Sequence, residues 1–176
     1  MRALRGLLIL ILLLVIVLAG LLAFSWRGEI AADANAARQS FAKADISKGA
    51  RLAALGNCIA CHTVSGRQAF AGGLPLPTPF GTIYSTNVTP DPETGIGSWS
   101  EEAFRRAMRE GVDREGNHLY PAFPYDHYTL VTDADIHAIY AYLMTRTPVK
   151  QEAMQNTLRF PFGFRPLLAG WKLLFL

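Results

Sequence analysis

Hydrophobic and polar positions change their period several times along the chain. Behind Arg2 and Arg5, residues 7–24 run without one polar or charged side chain. At about 1.5 Å of rise per residue this run predicts a helix of about 27 Å, close to the ~30 Å hydrocarbon core of a bilayer. It exceeds the ~7 to 15 residue apolar core of a cleaved secretory signal, for which Ala32-Asp33-Ala34 would offer a small-residue site, so a retained membrane helix is favoured. Trp26 and Arg27 follow as an interfacial anchor. Arg2 and Arg5 stay on the cytoplasmic side, which carries Arg27 onward across the membrane, into the periplasm for a bacterial chain. Residues 1–27 are thus read as the anchor. Residues 28–44, Ala-rich and polar with no clear apolar stripe, are read as a tether.

Residues 45–149 have the size of one small domain, and three helices are legible in it. Asp45 or Ser47 can cap the first, which runs through Leu55 and stops at Gly56. Gly49, Ala50, Ala53 and Ala54 make its face unusually small. Ser100 caps the second over residues 101–110, whose acidic first turn suits the helix dipole and which Gly111 ends. Phe104, Met108 and Val112 share a stripe there. Thr132 caps the third over residues 133–146, with Asp135 in a capping-box-like position and Pro148 beyond the end. Ile136, Ile139, Tyr140 and Leu143 recur at i, i+3, i+4 and i+7, a bulky face whose natural partner is the small face of the first helix. Residues 63–100, rich in Gly, Pro, Thr and Asn, are read as one long loop wrapped around something, with Phe70, Leu74, Leu76, Phe80, Ile83 and Ile96 as candidate lining. Residues 150–176 are read as an apolar tail, whose terminal apolar run of about 10 residues is too short to span a bilayer. Arg165, Trp171 and Lys172 suit a membrane interface or a partner's groove; folding back over the domain is the competing reading.

Charge changes little in this picture. The net charge of +3 comes partly from the N-terminal arginines, Arg165 and Lys172. Without a dense basic run or a stacking platform it does not point to nucleic acid. The cysteines change more. There are two, Cys58 and Cys61, and His62 follows directly, giving the C-x-x-C-H spacing that attaches a c-type haem. Two thiols three residues apart can bond one porphyrin edge, and the adjacent imidazole meets the iron. A structural zinc needs four ligands, and His118, His127 and His137 are too irregularly spaced to complete such a set. A thioredoxin-like dithiol belongs in a βαβ pattern, and none is visible.

The stretches Gly56-Asn57-Cys58-Ile59-Ala60-Cys61-His62-Thr63, Thr78-Pro79-Phe80-Gly81-Thr82-Ile83-Tyr84-Ser85-Thr86-Asn87-Val88-Thr89-Pro90-Asp91 and Leu119-Tyr120-Pro121-Ala122-Phe123-Pro124-Tyr125 carry a resemblance. So do Phe70-Ala71-Gly72-Gly73 and Thr94-Gly95-Ile96-Gly97-Ser98-Trp99-Ser100. The sequence resembles a class I cytochrome c. More narrowly, it resembles the first haem domain of membrane-bound cytochrome c subunits serving alcohol, aldehyde, gluconate and nicotinate-type dehydrogenases. The resemblance implies an all-α haem domain with long haem-wrapping loops, here behind one transmembrane helix, and one covalent haem c on Cys58, Cys61 and the iron ligand His62. It implies an electron-transfer subunit, not an enzyme itself, fed by a dehydrogenase catalytic subunit and delivering to quinone or a terminal oxidase, at the inner membrane with the haem domain in the periplasm.

Two departures stand out. Many such proteins carry three haem motifs, whereas this chain has one, as a single-haem relative or a chain without its downstream domains. In the family the loop before the last helix often reads Tyr-Pro-Ala-Met-Pro-Tyr with the methionine on iron; here Phe123, which cannot ligate, takes that place. His127, four residues on in the same loop, is the candidate sixth ligand. Met108 and Met144 fall on helical stripes where core packing is the usual role, His137 is read as solvent-facing on the last helix, and Met154 lies beyond the domain. A methionine ligand and an open iron stay as alternatives. An open iron would suit a haem-based small-molecule sensor; a third reading is an anchoring subunit of a dehydrogenase complex.

Overall fold

In the computed structural model, which describes residues 2–176, the apolar run is one continuous helix, α1 (Arg2–Ser25). By length and composition it could cross a membrane. At its end Ser25 is buried, and its carbonyl accepts from His118 Nε2 at 2.8 Å.

The stretch read as a tether is laid along the domain. The Ile30 N–H donates to Arg114 O and the Asp33 N–H to Ser98 O, both at 2.9 Å. Ala36 is wholly buried in the 3-10 turn Ala36–Arg38, and Phe41 meets Tyr140 edge-on at 5.8 Å. Main-chain bonds and single small residues hold it, which no side-chain period announces. Helix α2 (Lys43–Leu55) starts earlier than expected. Ala42 stands at its cap without a side-chain bond, and Asp45 lies in the first turn, where a carboxylate complements the dipole without capping.

The first and last domain helices are partners, as expected, but Gly49 of the small face meets Ala138 and Tyr142, which lie off the Ile136, Ile139, Tyr140 and Leu143 stripe. Helix α2 crosses the last domain helix, here α5 (Asp133–Met144), so closely that a Cβ on Gly49 would collide with the Ala138 carbonyl and the Tyr142 side chain. The cysteine motif forms α3 (Cys58–His62), and α4 is Glu101–Glu110. The Ser100 hydroxyl accepts from the Ala103 N–H at 3.2 Å, and Thr132 Oγ1 from the Asp135 N–H at 3.2 Å. Both predicted caps are thus made. Phe104, Met108, Ile136, Ile139, Tyr140 and Met144 form the core with Phe70 and Ile96 from the long connection.

That connection is not one loop, and the domain is mostly helical rather than all-α. Strands β1 (Pro75–Thr78) and β2 (Gly81–Tyr84) pair as an antiparallel hairpin with Leu76 opposite Ile83. Strand β3 (Thr157–Leu158) adds to the other side of β2, in the order β1-β2-β3. Pro75 and Pro77 read as breakers, yet proline is admissible on an edge strand, and β1 is an edge. The tail folds back over the domain: Asn156 Oδ1 accepts from the Tyr84 N–H at 2.8 Å, and Thr94 Oγ1 from the Gln151 N–H at 3.0 Å. It ends in α6 (Leu167–Phe175), which buries Ala169 and Lys172 and sets Trp171 edge-on to Tyr125 at 5.9 Å.

Candidate functional site

Asn57, at φ 52°, turns the chain from α2 into α3; asparagine tolerates this left-handed backbone better than most residues. One helical turn then carries both thiols, since positions three apart lie on one side of a helix. Cys58 is partly buried against the core, Cys61 is exposed, and both are free. Burial pushes the Cys58 thiol up, and Cys61 adds to this. The Tyr128 hydroxyl donates to the Gly56 carbonyl at 3.2 Å, tying the motif to the loop before α5. Burial first, then the negative charge of Cys58 and Cys61 when ionised, raises its pKa.

His62 Nδ1 lies 2.7 Å from the Thr86 carbonyl. A carbonyl only accepts, so Nδ1 carries the proton and Nε2 keeps its lone pair. Burial pushes the pKa of His62 down against the opposing Thr86 bond, and the ring stays neutral. A neutral imidazole oriented through its other nitrogen by a backbone carbonyl is the form that ligates metals. Thr86 is itself braced. The Gly72 N–H donates to His62 O at 2.8 Å, and Gly72, at φ 73°, lies so close that a Cβ there would strike the Thr86 carbonyl. Neither Thr86 nor Tyr128 was singled out in the sequence, because a backbone acceptor and one tyrosine among six leave no motif.

The remaining candidates are scattered. Phe123 is half-buried and stacks on Tyr128, centroids 5.5 Å apart. The His127 side chain is 76% exposed, with Nε2 3.6 Å from Asp126 Oδ2. Met108 and Met144 are buried in the core, as their stripe positions imply, and Met154 is exposed. His118 is buried and bound to the Ser25 carbonyl and Lys172. His137 is not turned fully to solvent; its Nδ1 is 2.9 Å from Glu101 Oε2 and its ring is edge-on to Phe41. Two surface depressions, one beside Tyr120 and Met154 and one beside Arg67 and Gln151, contain neither thiol nor His62. Among the described residues no three His, Cys, Asp or Glu side chains converge to hold a bare metal ion.

The donor set therefore suits a group that the thiols bond covalently and the imidazole ligates, and such a set on a mostly helical domain of this size defines the class of haem c domains. A family model described as cytochrome c matches residues 46–147, and the chain belongs to the cytochrome c family, whose domains hold haem c covalently. A nicotinate dehydrogenase subunit of Pseudomonas putida is 58% identical over 154 residues, covering 88% of this chain and 13% of that protein. The gluconate 2-dehydrogenase cytochrome c subunit of Pantoea cypripedii is 49% identical over 128 residues, 72% of this chain and 29% of its own length. The alcohol dehydrogenase (quinone) cytochrome c subunit of Gluconobacter oxydans is 42% identical over 159 residues, 89% of this chain and 31% of its own. The chain spans less than a third of each of these three relatives.

Proposed function

We propose that the chain is a membrane-anchored c-type cytochrome that relays single electrons from a periplasmic dehydrogenase partner towards quinone or a terminal oxidase. The observation that carries this reading is the pairing of two thiols on one helical turn with an imidazole whose Nδ1–H is spent on Thr86, in a chain similar to dehydrogenase cytochrome c subunits. Cys58 and Cys61 bond the cofactor, and His62 Nε2 ligates its iron. Bound there, haem c supplies a one-electron couple. Thr86 holds the His62 ring in its ligating tautomer, and Tyr128 pins the motif at Gly56. The loops 70–99 and 120–128 would form the pocket around the cofactor. Helix α1 spans the inner membrane, residues 45–149 are the haem domain on the periplasmic side, and residues 150–176 are its apolar tail. Electron transfer, not bond-making on a substrate, is its role, so the donor's substrate is chosen by another polypeptide.

The test is to express the full chain with haem-attachment machinery. Covalent haem that survives denaturation, lost in the Cys58→Ala/Cys61→Ala double variant, is the expected result; a chain that takes up no haem overturns the reading. For the sixth position the donor to test is His127, whose ring must leave Asp126 and turn inward. A bis-histidine spectrum that His127→Ala abolishes supports it. The exposure of His127 and the presence of Phe123 favour a second reading, an iron open to a small ligand. Ready carbon monoxide binding by the reduced protein supports that one.

A further inference from the structure

Helix α6 is inside out for a helix in water. Its one charged side chain, Lys172, is turned inward and 9% exposed, whereas Leu173, Leu174 and Phe175 are 70, 77 and 61% exposed. On a water-facing helix the ammonium reaches solvent and the apolar residues turn in. The inward lysine is fully partnered. Its Nζ donates to the carbonyls of Glu110 and Gly111 and, at 3.0 Å, to His118 Nδ1, and it lies 4.9 Å from the centre of the Tyr125 ring. His118 passes the connection on, since its Nε2–H donates to the carbonyl of Ser25, the last residue of α1. Helices α1 and α6 are also in contact, so α6 sits level with the end of α1. Trp26, 77% exposed, stands at the same level.

An outward apolar face continuous with the end of a membrane helix matches in chemistry the boundary between lipid headgroups and acyl chains. We infer that α6 is a membrane-interface foot, whose outward face rests in the bilayer surface where α1 leaves it. The Lys172–His118–Ser25 lock joins foot to anchor, so the domain is held in one orientation over the membrane instead of swinging on residues 26–28. The inference rests on the reading of α1 as a membrane helix.

The experiment places one spin label at a time, at Leu174→Cys on the foot, Leu14→Cys in α1 and Glu93→Cys on the domain. The full chain with haem attached is reconstituted into phosphatidylethanolamine/phosphatidylglycerol vesicles. Collision rates with dissolved oxygen and a water-soluble nickel chelate are then read by power saturation. The expected result is oxygen exceeding nickel at both residue 14 and residue 174, with the oxygen-to-nickel ratio at 174 severalfold above that at 93. Lipid contact at 14 with water-like collisions at 174 overturns the foot and leaves the anchor standing. Water-like collisions at 14 overturn both. An immobilised label at 174, shielded from both reagents, means that a partner protein or a second copy covers the face, and also overturns the foot.

Discussion

His118 is held neutral by its two neighbours. Nε2–H donates to the Ser25 carbonyl, so Nδ1 must accept, and what it accepts from is the Lys172 ammonium. A second proton would set two positive groups 3.0 Å apart. Burial first, then the charges of Lys172 and Arg27, lowers its pKa against the opposing Ser25 bond and Asp113. A histidine with a folded-state pKa below its unfolded value of about 6.5 takes up a proton more readily on unfolding, so its contribution to stability is lost as pH falls below that value. The thermal midpoint should therefore drop between pH 7.5 and pH 5, and His118→Gln should flatten the drop; circular dichroism melts at both pH values check this. Beyond the Tyr125 ring, which lies 4.9 Å from Lys172 Nζ and 6.3 Å from the Phe123 ring, a phenylalanine occupies the place of a possible sulfur ligand. If the 120–128 loop faces the iron, Phe123→Met should add a thioether donor and raise the reduction potential. A redox titration that finds the potential unchanged would place residue 123 away from the iron.

At the scale of elements, the crossing of α2 and α5 leaves no room for one methyl group. In Gly49→Ala the new Cβ meets the Ala138 backbone, which cannot rotate away, so the helices must separate. Overpacking of this kind costs about 1–3 kcal/mol, more than the ~1 kcal/mol that alanine adds to helix propensity over glycine. Chemical denaturation should show a net loss of stability, and an unchanged midpoint would mean that the crossing is looser than it looks. The cap of α5 is a smaller and independent contribution. Thr132→Ala removes the acceptor of the Asp135 N–H and should cost about 1 kcal/mol by the same measurement. Lys48, 2.6 Å from Asp135, keeps that carboxyl ionised to lower pH and leaves the first turn acidic where the dipole favours it.

At the scale of the whole molecule, helix α1, the docked strap 28–44 and the folded-back tail make one body of what the chain pattern divides into four segments. Replacing residues 2–24 with a cleavable secretion signal should release the domain from membranes under alkaline carbonate, haem still attached, while the full chain stays in the pellet; a shortened chain that also stays would show that α1 is not the principal hold. Features decided within a few residues were legible in the sequence. The apolar run, the caps at Ser100 and Thr132, the small face of α2 and the thiol-thiol-imidazole spacing each depend on side-chain identity at short separation. The early start of α2 was not legible, since no side chain caps it. Nor was the hairpin 75–84, whose third strand comes from residues 157–158 and whose prolines sit harmlessly at an edge. The tautomer of His62 depends on the carbonyl of Thr86, and a carbonyl is the same in every residue. The inward turn of Lys172 depends on Glu110, Gly111 and His118, more than 50 positions away. Composition and period determined by themselves four of the six α-helices among the described residues, α1, α2, α4 and α5, and where the reactive side chains lie. Only the tertiary structure decided which backbone groups those side chains meet, because partners distant in the chain are brought together by packing, and packing leaves no local period to read.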